Sequence, residues 1–105
     1  FVSTNAAAST ETVTFNVSGA GDASLKANTT FTGNSTGVAE DKVVVSGSSS
    51  TGDITYETNT SVANLVTTGS GNDTVILGGI LDADDSIALG AGSSDKISAS
   101  ADQLF

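Results

Sequence analysis

The sequence predicts an all-β chain wound as a parallel β-solenoid, a β-roll with degenerate Gly/Asp-rich turns. Three observations carry that expectation. β-Branched residues, Ser, Asn and Gly dominate the chain, and all are mediocre or poor helix formers. Short apolar or alternating runs recur, separated by Ser-, Gly- and Asn-rich stretches. An aspartate followed after one residue by Val or Ile returns at Asp41-Lys42-Val43, Asp73-Thr74-Val75, Asp85-Ser86-Ile87 and Asp95-Lys96-Ile97, with Asp53-Ile54 as a shorter variant.

In chain order, Thr12–Val17 alternates and sets Val13, Phe15 and Val17 on one face. Val43–Val45, Ile54–Tyr56, Val75–Leu77, Ile87–Leu89 and Ile97–Ala99 are further short strand signals, with turns expected at Ser18–Asp22, Gly33–Gly37 and Ser46–Gly52. From Asp41 the repeating aspartates are spaced by 12, 20, 12 and 10 residues. A step of about ten residues is one strand plus one turn of a small solenoid. The gap of 20 then reads as two steps with one aspartate lost around Ala63–Thr67. Residues 66–105 carry the rhythm clearly. Residues 1–65 follow it loosely, as an earlier stretch of the same solenoid or as a separate β module. Asp22 and Leu25 fit only approximately, and Phe1–Thr10 gives no register. The alternative architecture is an antiparallel β-sandwich. The absence of Asn-Gly and Asp-Gly dipeptides argues against its two-residue hairpins.

Composition limits both the core and the chemistry. Four Phe, one Tyr and no Trp suit a thin core of stacked Val, Ile, Leu and Ala better than a thick two-layer core. There is no Cys and no His, which removes disulfides, thiolate chemistry and imidazole catalysis. The only cations are Lys26, Lys42 and Lys96, against a net charge of −9, so a phosphate-binding surface is not expected and nucleic acid is a poor partner. No apolar run approaches the ~20 residues of a spanning helix, and membrane insertion is not expected. Carboxylates alone can hydrolyse glycosides. Without Arg, and with no lysine–aspartate grouping in a cleft-forming segment, an enzyme is not expected.

The stretch with recognisable chemistry is Thr68-Gly69-Ser70-Gly71-Asn72-Asp73-Thr74-Val75-Ile76. Its glycines permit a tight turn that aims carbonyl oxygens inward, and Asp73 adds a hard anionic oxygen. Calcium takes six to eight such oxygens at about 2.3–2.6 Å, more than one turn supplies. A second turn, Gly90-Ala91-Gly92-Ser93-Ser94-Asp95-Lys96-Ile97, repeats the pattern 21 residues on with one extra residue before the aspartate. Between them Asp82, Asp84 and Asp85 place three carboxylates within four residues, a repulsion that a cation would screen. The same residues also suit a solvated acidic loop.

The stretch Val66–Phe105 resembles the repeats-in-toxin proteins, and within that superfamily the glycine- and aspartate-rich repeats of bacterial S-layer proteins. It departs from them in Thr68, where the nonapeptide has glycine, and in the insertion before Asp95. The resemblance implies an extracellular, calcium-binding β-roll at the bacterial cell surface. It implies Asp73 and Asp95 as carboxylate ligands and Gly69, Gly71, Gly90 and Gly92 as turn residues whose carbonyls face Ca2+. The function expected is a structural segment of a secreted surface-layer or extracellular matrix protein, stabilised by calcium and self-assembling. Its partners would be itself or neighbouring modules, with cell-surface polysaccharide as a further candidate. The alternative is a β-sandwich adhesin module or a filament subunit that donates a terminal strand, for which Phe1–Thr10 would be the arm.

Overall fold

The computed structural model describes residues 2–4, 12–26, 30–32, 42–58, 62–79, 81 and 83–99. Among them there is no helix and there are ten strands. These are β1 (Val2–Thr4), β2 (Thr12–Gly19), β3 (Ala23–Lys26), β4 (Thr30–Thr32), β5 (Lys42–Ser50), β6 (Ile54–Glu57), β7 (Ala63–Thr67), β8 (Thr74–Ile76), β9 (Ser86–Ala88) and β10 (Lys96–Ser98). They form one sheet of four in the order β2-β5-β7-β9, a second of four in the order β3-β6-β8-β10, and a two-stranded pair β1-β4. Every pairing is parallel. That overturns the antiparallel sandwich for the described residues. Its physical reason lies in the connections: each strand of the first sheet is followed by a strand of the second, so neighbours within a sheet always enter from the same edge.

Register places like residues in rows. Phe15, Val45, Val66 and Ile87 align across the first sheet. Leu25, Tyr56, Val75 and Ile97 align across the second. The first-sheet row steps from 15 to 45, 66 and 87, which is 30 residues and then 21 twice. Both sheets take strands from either side of position 65, and β7 itself runs across it.

The alternation read from the sequence is what packs. In β5, Val43 and Val45 are buried while Lys42 and Val44 are half-buried. Val43, Val45, Tyr56, Val62, Val66, Val75 and Leu77 form one core cluster, with Phe15, Leu25, Ile87, Leu89 and Ala99 packed against it. The core is therefore thin, two facing rows of mostly β-branched and aliphatic side chains with Tyr56 as the largest fully buried member.

Two expectations differ from the structure. Ser46–Gly52 was expected as a turn, yet β5 continues to Ser50, where Ser18 pairs with Ser49 and Gly19 with Ser50. Pairing to a long β2 outweighs the turn composition, at the cost of a register irregularity between Asn16 and Ser18. The lost step around Ala63–Thr67 is a full strand, β7, with Asn64 standing where the rhythm calls for aspartate. The expected turn Gly33–Gly37, Asp41, Asp82 and most of Phe1–Thr10 lie outside the described residues. The part of that arm that is described, β1, pairs with β4 of the same chain.

Candidate metal site: the stacked glycine–aspartate turns

The chain crosses from the first sheet to the second four times, and the crossings stack. The peptide N–H of Thr51 donates to Gly19 O at 2.8 Å, that of Ser70 to Ser50 O at 3.0 Å and that of Ala91 to Gly69 O at 2.9 Å. The ladder of the sheets thus continues through the corner. Such close stacking leaves no room for side chains at certain positions. A Cβ on Gly71 would run into the carbonyl oxygen of Gly52, and one on Gly92 into that of Gly71. Gly69 is similarly pressed by Ser50 O, and Gly90, whose φ is 69°, by Gly69 O. The four glycines expected in the site are all in these stacked crossings, and their first role is to let one turn approach the next. The carbonyls of Gly69 and Gly71 press on the following crossing, and that of Gly69 accepts from Ala91 N–H.

The aspartates form a second ladder beside the first. Asp22 Oδ1 accepts from Asp53 N–H at 2.9 Å, and Asp53 Oδ1 from Asn72 N–H at 2.7 Å. Asp73 Oδ1 accepts from Ile54 N–H at 2.7 Å, and Asp95 Oδ1 from Asp73 N–H at 2.8 Å. The bonds of Asp73 and Asp95 are buried or partly buried, where a peptide N–H must find an acceptor and a carboxylate is a strong one, while those of Asp22 and Asp53 are exposed. The first two reach toward the following crossing and the last two toward the preceding one, so the second and third crossings interlock. In the sequence Asp22 and Asp53 are only loose members of the rhythm. The ladder was hidden because each bond joins residues 19 to 31 positions apart.

Asp73 stands apart within this ladder. It is fully buried, and among the described residues its Oδ2 has no hydrogen-bond partner. Thr68 Oγ1, in the same crossing, is also buried without one. An unpartnered carboxylate oxygen away from water is costly, by several kcal/mol if charged (about 3–5 when a buried ion lacks its partner). A hard cation satisfies such an oxygen, so Asp73 fits the calcium expected here, with Asp95 next to it through the Asp73 N–H bond. Among the described residues no three carboxylates converge. An ion at Asp73 would therefore draw the rest of its shell from carbonyl, hydroxyl and water oxygens.

Asp84 and Asp85 lie elsewhere, on the return from β8 to β9, separated from Gly90, Gly92 and Asp95 by the length of β9. Asp84 is exposed and Asp85 half-buried. Asp85 Oδ1 accepts from Asn64 N–H at 2.8 Å and from Asn64 Nδ2 at 3.1 Å. Asn64 Oδ1 in turn accepts from the Tyr56 hydroxyl at 2.9 Å, and its Nδ2 donates to Val62 O at 3.0 Å. Asp85 thus anchors the opposite edge, and the structure does not bring Asp84 and Asp85 to the glycine turns. This polar chain was not anticipated. Its signal was the single Tyr at an inward position of the second-sheet row, a residue whose hydroxyl needs a partner when buried.

Comparison with known protein families, curated proteins and solved structures finds no match to this chain.

Proposed function

We propose that the chain is a β-solenoid segment of a secreted surface-layer or extracellular matrix protein, stiffened by Ca2+ bound at its stacked glycine–aspartate turns. On this reading it works by holding shape and assembling with itself or with neighbouring modules at the cell surface, and it is not an enzyme. The alternation of strands between two parallel sheets and the 21-residue rows support the solenoid. The observation that carries the calcium reading is Asp73, fully buried in the middle of the stack with Oδ2 unpartnered.

The role of the ion is folding energy. A ligand bound only by the folded chain adds about 2.7 kcal/mol at a hundredfold excess over its Kd. The test is thermal unfolding by circular dichroism in calcium and in chelator. The wild type should melt higher with calcium. Asp73→Asn keeps an oxygen for Ile54 N–H but removes the anionic one, and should lose the calcium response. Asp53→Asn should keep it. Equal responses in the two variants, or none in the wild type, would contradict the site.

A further inference from the structure

We infer that copies of this chain stack head to tail, the crossing Gly90–Asp95 of one copy seating beneath the crossing Gly19–Asp22 of the next. The inference rests on the solenoid reading above for its geometry, and it does not depend on calcium. The carrying observation is Gly21. The glycines that follow it in its column, Gly52, Gly71 and Gly92, are each pressed by a carbonyl oxygen of the preceding crossing, Gly21, Gly52 and Gly71 in turn. Gly21 occupies the same column, but among the described residues nothing lies within 4 Å of where its Cβ would be, and its φ is not in the left-handed region. Among the described residues neither packing nor backbone conformation asks for glycine there. A carbonyl approaching from a crossing stacked below would ask for it.

The other end of the column offers that carbonyl. Gly19, Ser50 and Gly69 each give their carbonyl to an N–H of the next crossing. Gly90 is next in that series, and the matching donor in a following copy is Ala20 N–H. The apolar rows also continue across the junction. Among the described residues Ile87 and Ile97 end the rows that Phe15 and Leu25 begin, and Ile97 is 48% exposed in a row whose middle members, Tyr56 and Val75, are fully buried. Ile87 of one copy would meet Phe15 of the next, and Ile97 would meet Leu25. Such a contact is heterologous, so it propagates rather than closing at a dimer. Each copy carries −9, with Asp22 and Asp95 at the meeting faces, so association requires screening.

The test is sedimentation velocity at constant calcium with rising NaCl. The wild type should form a concentration-dependent series of species at high salt and stay monomeric at low salt. Gly21→Val blocks one face and Ile97→Glu the other. Each variant alone should remain monomeric while melting within a few degrees of the wild type. Mixed in equal amounts, they should form a one-to-one pair and nothing longer, since each retains one intact face. A wild type that stays monomeric at every salt concentration overturns the inference, as do variants that assemble like the wild type. The melting response of monomeric Ile97→Glu to calcium reports separately on the function proposed above, so the two can fail independently.

Discussion

Asn64 links three parts of the interior at once. It accepts from the Tyr56 hydroxyl, donates to Val62 O and binds Asp85 across the neighbouring strand. Tyr56 and Asn64 are both almost fully inaccessible to water, so these bonds have no ready replacement. Asn64→Ala removes three of them and should lower stability by about 2–3 kcal/mol. Tyr56→Phe removes one hydroxyl and should cost about 1 kcal/mol. Urea unfolding of the two variants checks the order, and a Tyr56→Phe loss as large as that of Asn64→Ala would contradict it. By contrast the Lys26–Glu57 ion pair, at 3.1 Å with Lys26 61% exposed, should contribute less than about 1 kcal/mol. At this scale the sequence revealed residue types but not their bonds. Asp73 was legible as a special carboxylate from its glycine context. Its orphaned oxygen was not, because burial is decided by strands that arrive from elsewhere in the chain.

At the scale of elements, the repeating unit is a strand, a tight crossing and a second strand. Its stability depends on crossings that stack at peptide contact distance. Gly71→Ala and Gly21→Ala test this as a matched pair, since the two occupy equivalent positions in one column. Gly71→Ala forces a Cβ against Gly52 O and should cost about 1–3 kcal/mol. Gly21→Ala meets no atom of the described residues within 4 Å and should change monomer stability by less than about 0.5 kcal/mol. Equal losses would mean that the glycines serve turn conformation alone. The strands themselves were readable because alternation of apolar residues reports which face is buried. Their ends were less so: β5 extends through Ser46–Ser50, where pairing with β2 overrides a Ser- and Gly-rich composition. β7 was legible only as a gap in the aspartate rhythm, since Asn64 replaces the expected carboxylate.

Across the whole molecule, twelve carboxylates and three lysines share a chain with a thin core. The fold accommodates that charge by turning carboxylates into backbone acceptors, four of them in one ladder. The rhythm of aspartates therefore reported two different edges of the molecule. Asp53, Asp73 and Asp95 line the crossing into the second sheet, and Asp85 the return to the first. Spacing alone made these look like one series. Parallel strands followed from that series, and the structure sets Asp84 and Asp85 on the return from β8 to β9, apart from the turns of Gly69 and Gly90.

Asp73 remains the center of the functional account, and calcium titration by calorimetry of the wild type beside Asp73→Asn tests it most directly. The account predicts saturable calcium binding to the wild type and its loss or strong weakening in Asp73→Asn. Binding of unchanged affinity in the variant, or no binding to the folded wild type, would contradict it.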